Sequence, residues 1–208
     1  MKLQEIQKEY DAIFSLGHNC LAAMKLRDHN LRVFAGPFDW VGSPNLSKVT
    51  NLLSNDFSEF LELRNLKGIQ YVSDTDILVL DEVNIISFNH DFKTDRNTLE
   101  DLLDLPLIKE KYERRIKRFQ KILSEDKRVL FIRTEGTKEE VVELQKVLKN
   151  LVKNDFSILI INHTDMEEMV EVDWEIENVC TLEFPNKEIW DGNNQYWKEI
   201  LEPISLKT

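Results

Sequence analysis

Two apolar runs, VLFI at 129–132 and SILII at 157–161, lack polar alternation. A strand with one face in water alternates apolar with polar side chains, so unbroken runs read as strands buried on both faces, as in a parallel sheet covered by helices. Residues 138–153 between them have helical spacing. The stretches 129–133, 138–153 and 156–162 therefore form one strand–helix–strand unit, its strands adjacent, parallel and joined by a right-handed crossover. A further strand is expected at 179–184 and the first at 11–16. The fold class that follows is α/β: three layers, with a mostly parallel sheet and helices on both faces.

Asp104 and Pro106 announce a helix running to Ser124, with Ile108, Tyr112, Ile116, Phe119 and Leu123 along one side. Segments 46–53 and 57–63 read as short helical patches. Segments 69–72, 76–80 and 84–88 read as strands, the last running straight into Asn89-His90-Asp91. Between 31 and 46, Gly36, Pro37, Gly42 and Pro44 break regular structure while Phe34, Phe38 and Trp40 supply bulk, which makes this an anchored loop. The chain of 208 residues is shorter than the roughly 250 at which single cores stop growing, and it has no internal repeat. One α/β domain over 1–208 is expected.

The 38 acidic and 27 basic side chains give a net charge of −11, which repels nucleic acid. No run of about 18 apolar residues spans a bilayer, and the charged N-terminus is unlike a secretory signal. Cys20 and Cys180 are the only cysteines, too few for a disulfide framework, which fits a reducing compartment. A cytoplasmic protein is expected, with neither nucleic acid nor membrane as partner. The reading calls for no metal or cofactor, and nothing in it sets an oligomeric state.

Chemistry concentrates in SLGHNC at 15–20, where an apolar strand delivers His18 and Cys20 to the start of a helix that Asn19 caps. In the first turn of a helix, unpaired amides and the macrodipole favour a thiolate, so Cys20 suits a nucleophile; its other reading is a small residue packing the helix on the sheet. A thiol nucleophile needs an imidazole, and His18, His29, His90 and His163 are the candidates. His90 and His163 both lie just past apolar strands. His90 has Asn89, Asp91 and Phe92 beside it, although adjacent strand residues point to opposite faces, so Asp91 orients His90 only where the strand has turned. Asp39 sits between two large aromatics, either bonding its own loop or lining a pocket beside Cys20. Arg133, at a strand end, suits a ligand anion better than the cations of the 112–119 helix, whose run reads as a solvated face.

SLGHNC, LRVFAGPFDWV, FNHDF, KYERRIKRF and VLFIR, taken together, resemble a bacterial family labelled putative papain-like cysteine peptidases, otherwise a domain of unknown function. The resemblance spans roughly 11–135. It implies Cys20 as nucleophile, His90 as its base and Asp91 as a third member. Two functions follow. In a thiol-dependent hydrolase or acyl transferase, Cys20 attacks a carbonyl of a small-molecule or peptide substrate, His90 moves the proton, and amides near Gly17 and Cys20 hold the oxyanion. In a binding module, Cys20 only packs, and Arg32, His90 and Arg133 hold an anionic sugar, nucleotide or peptide carboxylate in the same crevice, whose expected substrate-binding residues are His18, Arg32, Asp39 and Arg133.

Overall fold

The computed structural model describes residues 1–207. The chain begins with α1 (Leu3–Ile6), β1 (Glu9–Tyr10), β2 (Ala12–Ser15), α2 (Leu21–Asp28), β3 (Val41–Gly42) and α3 (Leu46–Ser54). Three strands and a long helix follow: β4 (Leu66–Tyr71), β5 (Asp76–Asp81), β6 (Ile86–Lys93) and α4 (Leu105–Ser124). The last part holds β7 (Val129–Thr134), α5 (Lys138–Leu151), β8 (Phe156–Thr164), β9 (Val170–Val172), β10 (Val179–Pro185), α6 (Asn194–Leu201) and β11 (Ser205–Leu206).

The apolar runs do form neighbouring parallel strands: Leu130 of β7 registers with Ser157 of β8, and α5 joins the two. A capping box starts α5. Thr137 Oγ1 accepts from the Glu140 amide at 3.3 Å while Glu140 returns a bond to the Thr137 amide at 3.1 Å, an arrangement worth about 1 kcal/mol. The full sheet runs β2-β7-β8-β10-β9, with β2, β7, β8 and β10 parallel and β9 antiparallel at the edge.

Side chains of this sheet alternate between two cores. Phe14, Phe131, Ile158 and Ile160 face one way, toward α3, α4, α5 and the aromatic residues of β6. Ile13, Leu130, Ile132, Leu159, Ile161 and Phe184 face the other way, against Leu21, Ala22 and Leu26 of α2 and Trp197, Ile200 and Leu201 of α6. Each fully buried side chain of this kind contributes about 1.5–3 kcal/mol.

The protein is thus mixed α/β, but the expectation of one mostly parallel sheet between helix layers needs correction. β9 makes the large sheet mixed. In addition, β3-β6-β5-β4 forms a separate sheet, antiparallel throughout, and β1 pairs with β11. The physical reason is connection length: β4, β5 and β6 follow one another through links of a few residues, which can close hairpins but cannot cross over to a parallel neighbour. Segment 57–63 is likewise not helical; Asp56, Phe57, Glu59 and Leu61 all have positive φ, and the chain folds there to bury Phe57 and Phe60 beside Phe119 and Tyr112. Among the described residues no helix is long and apolar enough to cross a membrane.

Candidate active site

β2, β7 and β8 end side by side, and the segments leaving them build the site. After Ser15 the chain turns through Gly17 (φ 84°) and His18 (φ 76°), two successive left-handed residues. Glycine takes this conformation freely, and a Cβ at Gly17 would collide with Ser43 Oγ. At His18 the conformation costs about 1–2 kcal/mol, and such strain persists only where surroundings fix it. Ser43 Oγ accepts the His18 amide at 2.9 Å, and Thr134 Oγ1 donates to the Gly17 carbonyl at 3.3 Å.

Arg133, wholly buried, ties these segments together. Its Nη1 donates to Leu16 O at 2.9 Å and Ser43 Oγ at 3.0 Å, Nη2 donates to Ser43 O at 2.7 Å, and Nε donates to Glu135 O at 3.0 Å. Burial, without a bonded carboxylate, lowers its pKa to about 10. The guanidinium is spent on the scaffold and presents no surface to an anion, contrary to the ligand role expected from its place at a strand end.

Cys20 lies at the N-cap of α2, and Asn19 Oδ1 accepts the Leu21 amide at 2.9 Å. Both cysteines are free; Cys20 is half-buried and Cys180 fully buried. Burial, with a further contribution from the Asp39 charge, pushes the Cys20 thiol above its usual range. The resting group is therefore a thiol, and burial works against the thiolate expected from the helix start. The Gly17 amide is taken by Ser15 Oγ at 3.1 Å. Of the amides near Gly17 and Cys20 expected to hold an oxyanion, those of Gly17, His18 and Leu21 are taken by Ser15 Oγ, Ser43 Oγ and Asn19 Oδ1.

Asp39 bonds its own loop. Its Oδ2 accepts from Arg32 Nε at 2.6 Å and from the Gly36 amide at 2.8 Å, and Arg32 lies over the Trp40 ring at 5.1 Å, with Arg27 at 5.7 Å from the same ring. Arg32 is thereby paired and mostly buried.

His90 sits elsewhere than the strand pattern suggested. The register of β5 and β6 passes from Val79↔Phe88 to Ile77↔Phe92, so Asn89, His90 and Asp91 bulge out opposite Leu78. His90 is exposed, and no hydrogen bond to its ring occurs among the described residues. Asp91 turns away from it: Tyr112 Oη donates to Asp91 Oδ2 at 2.8 Å, and Lys111 pairs with the other oxygen. Burial, then the Asp91 charge, holds the Tyr112 hydroxyl well above its usual range, and Arg115 lies over the Tyr112 ring at 5.0 Å. Since β6 belongs to the antiparallel sheet and β2 to the large mixed one, the His90 strand and the Cys20 strand do not end along one sheet.

The arrangement that sequence reasoning left unbuilt joins Glu135, just past β7, to His163, near the end of β8. Glu135 is left-handed (φ 60°), and its Oε1 meets His163 Nδ1 at 2.5 Å and accepts the His163 amide at 3.2 Å. The ring packs edge-on against Phe184 at 6.0 Å, and its Nε2 is buried without a partner among the described residues. An unmade bond of that kind costs about 1–3 kcal/mol. His18 Nδ1 is also buried with no partner among the described residues, and burial, then the Arg133 charge, lowers the His18 pKa. The available signal was the pair of polar tails, RTEG and NHT, on the two apolar runs. Among the described residues no group of three or more His, Cys, Asp or Glu side chains is placed to hold a metal ion.

Residues 11–166 match the model of a family described as putative papain-like cysteine peptidase, a domain of unknown function. The chain belongs to this family. The match extends past the 11–135 of the resemblance and takes in His163. An uncharacterised protein of Acanthamoeba polyphaga mimivirus is similar to this family member, 30% identical over 222 residues that cover 92% of this chain and 97% of the relative. That relative is viral, so the bacterial origin expected from the resemblance is not supported. No solved structure matches.

Proposed function

We propose that the protein is a thiol-dependent hydrolase or acyl transferase with Cys20 as its nucleophile. The observation that carries this reading is the placement of Cys20: a free, half-buried thiol at the start of α2, on a strained Gly17-His18 turn, at the end of the sheet where β2, β7 and β8 finish. Strained residues at the carboxyl edge of parallel strands are a common mark of α/β sites, and the family description points to the same chemistry.

In this reading Cys20 Sγ attacks a carbonyl carbon, an imidazole takes the thiol proton and passes it to the leaving group, and water then cleaves the thioester. A thiol that rests protonated requires such a base. The resemblance nominates His90 for it. The binding alternative is weakened by what its cations do, since Arg133 is buried among carbonyls and Arg32 is paired with Asp39. Turnover of p-nitrophenyl acetate tests the proposal: Cys20→Ala should lower the rate about 100-fold while Cys180→Ala leaves it unchanged. Equal rates in wild type and Cys20→Ala would end the thiol reading.

A further inference from the structure

We propose that the imidazole serving Cys20 is His163, oriented by Glu135, rather than His90. The assignment rests on the thiol reading of Cys20.

Three relationships carry it. First, β2, β7 and β8 are successive parallel neighbours, so the segments bearing Cys20, Glu135 and His163 all leave the sheet at one end. Second, they share a face. His163 packs on Phe184, which lies in the same core as Leu21 and Ala22, the residues that follow Cys20 into α2. The side chains flanking the His90 bulge, Phe88 and Phe92, lie in the core on the opposite side of that sheet. Third, the ring has the form a base requires. A carboxylate on Nδ1 fixes the tautomer with the proton there and leaves Nε2 as an acceptor, and Nε2 has no partner among the described residues. Among the described residues no hydrogen bond orients the His90 ring, and Asp91 is held by Tyr112 and Lys111.

The step then balances simply. Nε2 of His163 takes the Sγ proton as the S–C bond forms, and gives it to the leaving group as the bond between that group and the carbonyl carbon breaks, leaving the thioester. In the second half it takes a proton from water as the hydroxide adds, and returns it to Sγ when the thioester opens. Glu135 stays ionised throughout and acts as a positioning residue.

The test reads the pH dependence of Cys20 alkylation by iodoacetamide, peptide-mapped by mass, in wild type, His163→Gln, His90→Gln and Glu135→Gln. We expect wild type to show a second step below the ordinary thiol titration. His163→Gln should abolish that step and slow alkylation at neutral pH about tenfold. His90→Gln should leave the profile unchanged. Glu135→Gln, which retains the ring, should displace the step, and it carries the test if His163→Gln does not fold. A step lost in His90→Gln and kept in His163→Gln overturns this assignment while sparing the thiol reading. A single thiol titration in wild type, unmoved by any variant, overturns both.

Discussion

Glu135 grips His163 twice, through the ring Nδ1 at 2.5 Å and through the backbone amide at 3.2 Å. The two residues lie 28 positions apart in the chain, at the ends of adjacent parallel strands. The double contact aligns the ring with the strand that carries it, so rotation about its side-chain bonds breaks a charge-assisted hydrogen bond, a type stronger than neutral ones.

The two cysteines should differ in labelling for reasons of exposure alone. Cys180 is fully buried on β10 and its thiol is pushed up to about 12, whereas Cys20 is half-buried with a smaller upward shift. We expect iodoacetamide to modify Cys20 about tenfold faster or more in the native protein, with the difference vanishing in denaturant. Equal native rates would contradict the burial described for Cys180.

His18 makes stability depend on pH. Its folded pKa lies below the usual 6.5 because burial and the Arg133 charge oppose protonation, with His163 acting in the same direction and Glu135 against it. As pH falls below about 6.5 the unfolded chain takes up the proton first, so the His18 contribution is present above that pH and is lost as pH falls toward the folded pKa. We expect His18→Asn, which tolerates the left-handed backbone, to lose less stability than wild type between about pH 7 and pH 5 in urea unfolding. Identical losses would show that His18 is not the group responsible.

Arg133 is a structural tie, and its removal should show as instability. Arg133→Met leaves the carbonyls of Leu16, Ser43 and Glu135 without their donor. Each buried unmet acceptor costs about 1–3 kcal/mol, so we expect a loss of about 3 kcal/mol or more in chemical denaturation. A variant of wild-type stability would return Arg133 to the ligand role suggested by its place at the end of VLFIR.

Much of the parallel sheet is legible because its strands carry their environment in their composition. VLFI and SILII could only be buried on both sides, and residues 138–153 could only cover them. The antiparallel sheet is written in the strand connections rather than in the strand ends: the few residues between β5 and β6 already require a hairpin. The site was partly legible. Cys20 and His163 stand out as reactive residues past apolar strands, but the Glu135 contact depends on a left-handed backbone after β7 and on strand register, neither of which local composition records. Asp91 misled for a related reason. Its sequence neighbour is His90, but its partners come from α4, 20 and 21 residues away.

Asp91 should therefore behave as scaffold. Asp91→Asn weakens the bonds from Tyr112 and Lys111, and we expect it to cost about 1.5–3 kcal/mol, the range for hydrogen bonds to a charged group. Cys20 alkylation in the folded variant should match wild type across pH. A pH profile changed by Asp91→Asn at preserved stability would place Asp91 beside the reacting groups instead.

The most direct measurement is to look for the covalent intermediate on Cys20. After brief exposure to p-nitrophenyl acetate and an acid quench, peptide mapping of the wild-type protein should find one acetyl group on Cys20, labile to hydroxylamine as a thioester is. It should be absent from Cys20 when the protein is denatured before exposure. Acetylation confined to lysines, or Cys20 acetylated equally in native and denatured protein, would contradict a nucleophilic role for Cys20.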